Sequence, residues 1–324
     1  MAAKLAFVFP GQGSQHVGML RDLAERYSVV RSTFDEASAA VGYDLWAKVQ
    51  EGSAEELNAT IVTQPALLTA SVAIWRVWQE LEGARPEMMA GHSLGEYSAL
   101  VCAGALSFAD GVRLVKLRAE VMQSAVPEGE GAMAAILGLS DEQVEEACHN
   151  AAQGSVVSAV NYNSPGQVVI AGERDAVARA IELCREAGAK RALPLPVSVP
   201  SHCELMRPAG KKLAAALADI EIKTPRYPVV QNVDAQAHSD PHVLRERLVE
   251  QLYRPVRWSD CVKNIVATDA TLFVECGPGK VLTNLDKRID RQIIGLAVND
   301  PDSLAAALER VSEENSVSET TDVE

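Results

Sequence analysis

No stretch of this chain stays apolar for the roughly 18 residues that a membrane helix needs. The early run Leu5-Ala6-Phe7-Val8-Phe9 stops at Pro10-Gly11 with no small-residue cleavage pattern after it. That is shorter than the roughly 7–15 residues of a signal-peptide core, so a cytoplasmic location is expected. Cysteine is sparse: Cys102, Cys148, Cys184, Cys203, Cys261 and Cys276 are scattered, with no C-x-x-C pair. This spacing supports neither a disulfide framework nor a zinc site, and the six are expected as reduced, mostly buried thiols. Positive charge is also short, with 30 Lys and Arg against 44 Asp and Glu and a net charge of −14. Nucleic acid is therefore a poor partner, and an acidic partner would have to meet a local basic patch. No internal repeat is apparent.

What is present is an ordinary globular composition, 48% hydrophobic and 23% charged over 324 residues, enough for one large domain or two smaller ones. Five acids and no base follow Arg310; residues 313–324 read as a disordered acidic tail. Residues 4–9 read as a buried strand and 65–84 as a helix. A short apolar strand, PEMMAGHS, then runs into the helix LGEYSALVCAGAL. Residues 107–126 read as a further helix, capped by Ser107 and Asp110. Between 128 and 197 the order becomes β-α-β-β-α-β, a ferredoxin-like arrangement: strands 133–139, 155–163, 167–172 and 191–197, with helices 140–152 and 173–189. Afterwards come helix 204–219, strand 228–233, helices 242–252 and 258–268, strand 271–276, helix 280–290, strand 292–298 and helix 302–312. Such alternation implies a mainly parallel α/β sheet. The expected fold is an α/β-hydrolase-like core, discontinuous over 1–127 and 198–312, with the ferredoxin-like subdomain inserted at 128–197.

Gly91-His92-Ser93-Leu94-Gly95 is a G-x-S-x-G frame between a strand and a helix, the context of a serine nucleophile on a tight turn. The same frame also serves as a plain glycine turn. Ser93 then sits near a helix N-terminus, which favours negative charge. A serine nucleophile needs a base. His92 adjoins Ser93, but neighbouring side chains on an extended segment point apart. His149 falls on the inserted subdomain's helix, His238 and His242 fall in a polar loop, and His16 lies near the N-terminus. His202 follows the insert directly and precedes a helix, and it is the leading candidate without excluding the others. An oxyanion needs two donors: the Leu94 N–H is one, and the loop after the first strand, FPGQGSQ (9–15), could supply the other. Arg118 falls three or four residues from Leu114, Val115, Val121 and Met122, on the apolar face of its helix. Arginine there is costly unless its charge is matched.

FPGQGSQ (9–15), TQPAL (63–67), GHSLGE (91–96), Arg118, NSPGQVVIAG (163–172), PSH (200–202), YRPVRW (253–258) and ECGPGKVL (275–282) occur in this order. As an ordered set, from about residue 4 to 300, they resemble the malonyl-CoA:acyl carrier protein transacylase family. The resemblance implies Ser93 as nucleophile and His202 as general base. It also implies backbone N–H groups of Gln12 and Leu94 as the oxyanion hole. Arg118 is implied to grip the malonyl carboxylate through its fork of donors, and the Gln251 backbone carbonyl to orient the histidine. The unit would be a Ser-His dyad rather than a triad.

The implied reaction is ping-pong: malonyl passes from CoA to Ser93, then to the phosphopantetheine thiol of acyl carrier protein, for fatty acid biosynthesis. No cofactor and no metal is implied. The expected partners are malonyl-CoA and the carrier protein, and the chain is expected to be a monomer that binds neither nucleic acid nor membrane. Because the carrier is expected to be acidic, Lys190, Arg191, Lys287 and Arg288, with Lys280 and Arg291 nearby, are candidates for docking. Val199-Pro200-Ser201 before His202 matches neither the malonyl nor the methylmalonyl signature of modular polyketide acyltransferases. A trans-acting polyketide acyltransferase remains an alternative. A serine esterase fits less well, because no histidine follows His242.

Overall fold

The structure is a computed structural model that describes residues 4–197 and 199–321. It begins with β1 (Lys4–Phe9), followed by α1 (Arg21–Arg26), α2 (Ser28–Val41), α3 (Leu45–Glu51), α4 (Ala54–Asn58) and α5 (Thr60–Glu80). Next come β2 (Met88–Gly91), α6 (Leu94–Cys102) and α7 (Phe108–Gln123). The insert comprises β3 (Gly131–Leu137), α8 (Asp141–Ala152), β4 (Val157–Ser164), β5 (Gln167–Glu173), α9 (Arg174–Glu186) and β6 (Arg191–Pro194). The chain returns through a 3-10 turn at Glu204–Met206 into α10 (Arg207–Leu217), β7 (Val229–Val230), α11 (Pro241–Glu250) and α12 (Trp258–Val266). It closes with β8 (Ala270–Cys276), α13 (Val281–Ile289), β9 (Ile294–Val298) and α14 (Pro301–Thr321).

The larger sheet runs β7-β2-β1-β8-β9 with every pairing parallel. Its centre is β1, where Leu5 to Phe9 are all buried, as a strand covered by helices on both faces must be. Phe7 meets Trp75 and Trp78 of α5 edge-on, with ring centroids 5.1 and 5.2 Å apart. The smaller sheet is antiparallel in order β4-β5-β3-β6, the ferredoxin-like order, with α8 and α9 packed on one side. It has its own apolar cluster, including Ile136, Val144, Val168, Ile170 and Ile181. Backbone hydrogen bonds tie it to the core: Val256 N–H to Val160 O at 2.8 Å and Tyr162 N–H to Val256 O at 3.0 Å.

Several elements depart from the sequence reading. The small helices α1 to α4 have no counterpart in it. The strand expected at 228–233 is only Val229–Val230, because Gln231 and Asn232 turn aside to bond Glu96. The strand expected to 197 ends at Pro194, where Pro194 and Pro196 remove donors a ladder would need. The tail expected to be disordered from 313 instead continues α14 to Thr321; residues 322–324 lie outside the described ones. No proline or glycine interrupts the chain after Pro301, and Arg310 bonds Glu313 and Glu314 one turn on, pairs that support a helix.

Candidate active site

Ligands of parallel α/β sheets gather at the carboxyl ends of the strands, and three loops meet there. β1 ends into Pro10–Gln15, β2 into Ser93, and β8 into Gly277-Pro278-Gly279. Ser93 takes φ 52° and ψ −107°, a strained conformation for a residue with a side chain. The flanking glycines make that turn possible. A Cβ on Gly91 would lie 1.9 Å from the Gly95 carbonyl carbon, and one on Gly95 would lie 2.0 Å from the Phe9 oxygen. Strand, turn and helix thus approach more closely than any side chain allows. The Ser93 N–H is tied back to Asn232 Oδ1 at 2.8 Å.

His202 is the histidine that meets the serine: Nε2 lies 2.8 Å from Ser93 Oγ. Its backbone is also left-handed, with φ 67°, and its N–H is held by Leu252 O at 2.9 Å. On the far side of the ring, Nδ1 lies 2.6 Å from Gln251 O. A carbonyl can only accept, so Nδ1 carries the proton and Nε2 is left to accept the serine O–H. Burial, and then the charge of Arg118, pull the His202 pKa down to about 3. His92 is occupied elsewhere, with Nε2 at 2.8 Å from Asn163 Oδ1 and its ring packed on Trp258. His238 pairs with Asp234, and His16, His149 and His242 do not line the cleft.

Arg118 is 1% exposed and reaches the nucleophile itself: Nη2 lies 3.2 Å from Ser93 Oγ. Neutral acceptors hold the fork, Gln64 Oε1 at 2.9 Å from Nη1 and Gln251 Oε1 at 3.1 Å from Nη2. The guanidinium also lies over the Tyr97 ring, 5.3 Å from its centroid. Among the described residues Nε has no hydrogen-bond partner, and no carboxylate forms an ion pair with Arg118. The apolar-face arginine read from the sequence therefore sits buried without a bonded counter-ion, at the reacting oxygen.

Gln12, Ser93, Leu94, Arg118 and His202 line one cleft of about 580 Å³ between the core and the insert. The Leu94 N–H is the first of α6, and like the Gln12 N–H it has no recorded bond among the described residues. From the insert, Asn161, Asn163, Gln167 and Val169 face the same cleft; Asn161 Oδ1 is buried without a hydrogen-bond partner among the described residues. Of the docking candidates, Arg288 lines the cleft and donates to Gln167 Oε1 at 3.0 Å. Lys190, Arg191 and Lys287 are exposed but do not line it. Among the described residues no three His, Cys, Asp or Glu gather as metal ligands, and no helix is long and apolar enough to cross a membrane.

The acyl transferase domain family matches residues 6–315. The chain belongs to that family. This acyl transferase is 61% identical to the malonyl CoA-acyl carrier protein transacylase of Escherichia coli K12, over 94% of this chain and 99% of that protein. The crystal structure of an acyl carrier protein S-malonyltransferase from Vibrio cholerae superposes with a TM-score of 0.93 at 62% identity, covering 94% of this chain and 99% of that one. A malonyl-transacylase in complex with a type II polyketide acyl carrier protein gives a TM-score of 0.94 at 59% identity, covering 95% and 100%.

Three participants in the acyl transferase site escaped the sequence reading. Gln64 lies in a quoted motif, but nothing in its spacing says that it holds Arg118. Asn232 and Glu96 form a buried polar group behind Ser93. Glu96 closes the GHSLGE motif and is a charged residue within an apolar helix, the same contrast that marks Arg118, but neither signal says which groups it holds.

Proposed function

We propose that this enzyme transfers malonyl from malonyl-CoA to the phosphopantetheine thiol of acyl carrier protein, supplying malonyl for fatty acid synthesis. The observation that carries the reading is the 3.2 Å separation of Arg118 Nη2 from Ser93 Oγ. In a malonyl group the free carboxylate is only two bonds from the carbonyl that the serine attacks. A cation this close to the nucleophile suits such a short acid, and a longer diacid would overshoot it. A buried guanidinium with an unpartnered Nε–H also gains from a carboxylate, which can accept two parallel bonds. A neutral ester gives that charge nothing to bind, which disfavours the esterase reading.

The chemistry then follows from the contacts. His202 Nε2 takes the Ser93 proton as Oγ bonds to the thioester carbonyl carbon. The developing oxyanion is held by the free N–H groups of Leu94 and Gln12. Collapse breaks the C–S bond, and the imidazolium returns its proton to the CoA sulfur. The carrier's thiol gives its proton to His202, attacks malonyl-Ser93 and leaves with the malonyl group while Oγ regains the proton. Imidazolium support comes from a carbonyl dipole rather than a carboxylate, so the unit is a dyad. Serine, histidine and backbone donors supply every step, and no metal or redox group enters. The cleft accommodates the pantetheine arm common to both substrates; Asn161 Oδ1 offers an acceptor to one of its amide N–H groups.

The polyketide-carrier complex of a similar enzyme keeps a second acceptor in view, with the same thiol chemistry on a different carrier. The test is mass spectrometry after incubation with malonyl-CoA. The expected result is a malonyl adduct on Ser93, absent in Ser93→Ala, and discharged by holo carrier protein. An adduct that water removes as fast as the carrier does would sink the transfer reading.

A further inference from the structure

Glu96 is one turn beyond the nucleophile on α6 and is wholly buried, at 0% exposure. Its Oε2 accepts from the Asn232 N–H at 2.8 Å and Gln251 Nε2 at 3.0 Å, and its Oε1 accepts from Gln231 Nε2 at 3.3 Å. Every one of these partners is an N–H donor, as an acceptor-only carboxylate requires.

That arrangement decides which way round the Gln251 amide sits. An amide has a donor end and an acceptor end. The donor end faces acceptors: Ser93 O at 2.9 Å, Glu96 Oε2 at 3.0 Å and Asn232 Oδ1 at 3.4 Å. The acceptor end faces Arg118 Nη2 at 3.1 Å, and a guanidinium can only donate. The two neutral acceptors are already engaged, Ser93 O by the Glu96 N–H and Asn232 Oδ1 by the Ser93 N–H. Glu96 is the one charged acceptor on the donor end.

We propose that Glu96 is a positioning residue for carboxylate recognition: by holding the donor end of the Gln251 amide, it turns the acceptor end onto Arg118 and sets the guanidinium where it meets the acyl carboxylate. The proposal rests on the malonyl reading above. The histidine is served by a different part of Gln251, its backbone carbonyl. Recognition of the acid and orientation of the histidine therefore use different parts of this one residue, its side-chain amide and its backbone carbonyl.

Glu96→Gln keeps the size but exchanges one oxygen for an NH2 group. With the new NH2 toward the Asn232 N–H and Gln251 Nε2, donors face donors; with it toward Gln231, the Gln231 amide can turn its Oε1, which has no partner among the described residues, to accept it, and Gln251 is left with a neutral acceptor. Either way the charge that held the donor end of the Gln251 amide is gone, and its acceptor end is no longer fixed on Arg118. The test compares acylation of Ser93 by malonyl-CoA and by p-nitrophenyl acetate in the wild type, Glu96→Gln, Gln251→Leu and the double variant. Misdirecting one charge-assisted hydrogen bond raises KM for malonyl-CoA roughly 10–100-fold, with a much smaller fall in the acetate ester reaction. Gln251→Leu gives the same selective loss, and adding Glu96→Gln to it adds nothing further. An equal loss on both substrates, or a second full loss in the double variant, overturns the proposal. Should Glu96→Gln fail to fold, Gln251→Leu decides alone, and an equal loss on both substrates there overturns it. A wild type that takes acetate but no malonyl onto Ser93 refutes the malonyl reading and this proposal with it, a result distinct from a wild type that loads malonyl with unselective variants.

Discussion

Ser93 and His202 stand 109 residues apart in the chain, yet their side chains meet at 2.8 Å, and both are held at positive φ, 52° and 67°. Strain of this kind costs on the order of 1–3 kcal/mol per residue and persists only where the surroundings over-determine it. Here they do. The Ser93 N–H is fixed by Asn232, and the His202 N–H and ring by the turn Gln251-Leu252. The insert returns the chain to the cleft just before His202, so the fold of that subdomain bears on where the base arrives.

Arg118→Ala should remove most malonyl loading while leaving the serine–histidine pair able to react. Removing one partner of a buried charge pair costs about 3–5 kcal/mol, so kcat/KM for malonyl-CoA should fall roughly 10²–10⁴-fold. Arg118→Lys should recover little of it, since one ammonium cannot reach Gln64, Gln251 and a carboxylate together. Steady-state kinetics with malonyl-CoA and acetyl-CoA check this. Equal losses for both would show that Arg118 does not read the carboxylate.

The acid limb of the pH profile should belong to Glu96 and not to the base. His202 must be neutral to accept a proton, and with its pKa pulled down to about 3 by burial and Arg118 it stays neutral across the working range. Burial pushes Glu96 up to about 7, against the bonds from Asn232, Gln251 and Gln231 and the charge of Arg118. The other titratable groups around it are Tyr97 on its own helix and Cys261 of α12, both driven up by burial and so neutral. As pH falls through about 7, Glu96 takes a proton, becomes a donor among donors and loosens the Gln251 amide. Malonyl loading should therefore decline below about pH 7, while p-nitrophenyl acetate acylation stays level well below it. Stopped-flow bursts measure both; a common decline near 6.5 would return the limb to an ordinary histidine.

How much of this was legible follows from what each signal depends on. The nucleophile turn was legible because strand, glycine spacing and helix are all local. Arg118 was legible because a charge on an apolar helical face contradicts its surroundings. The insert showed itself because its alternation differs from that of the core. Gln64, Asn232 and Glu96 were not, because an amide's partner is set by long-range packing that leaves no period in the sequence. The early helices α1 to α4 are short, five to fourteen residues, and most carry too few turns to display an apolar stripe. The short β7 was overread because Gln231 and Asn232 leave the sheet to serve Glu96, a tertiary demand that overrides strand propensity.

Arg288 should matter to the acceptor more than the overall charge suggests. The chain as a whole repels an acidic carrier, with its net charge of −14, but Arg288 sits on the cleft and Lys287 is exposed beside it on α13. Reversing both charges, Lys287→Glu with Arg288→Glu, should raise KM for carrier protein about tenfold and flatten its salt dependence, since such patches act mainly through encounter. Transfer rates between about 20 and 300 mM salt read this out. An unchanged salt slope would move the docking surface elsewhere, with Lys190 and Arg191 next in line.

Gly95→Ala should damage the oxyanion hole from outside it. The added Cβ would lie 2.0 Å from the Phe9 oxygen and 2.7 Å from its carbonyl carbon, and neither atom is a flexible side-chain end that can swing away. Phe9 closes β1 and opens the loop that carries Gln12, while Gly95 follows Leu94. The only relief is to part β1 from α6, which moves the two expected oxyanion donors apart. Overpacking of this severity costs about 3 kcal/mol, or a Tm lower by roughly 6–12 °C. In the protein that still folds, kcat should fall with little change in KM, because the donors act on charge that develops only in the transition state. Gly154→Ala is the control: its φ is also positive, at 92°, but nothing lies within 4 Å of the new Cβ. It should cost about 1–2 kcal/mol of backbone strain and leave kcat alone. If Gly95→Ala lowered Tm as expected but left kcat at the wild-type value, the Gln12 and Leu94 N–H groups would not be the pair that holds the oxyanion.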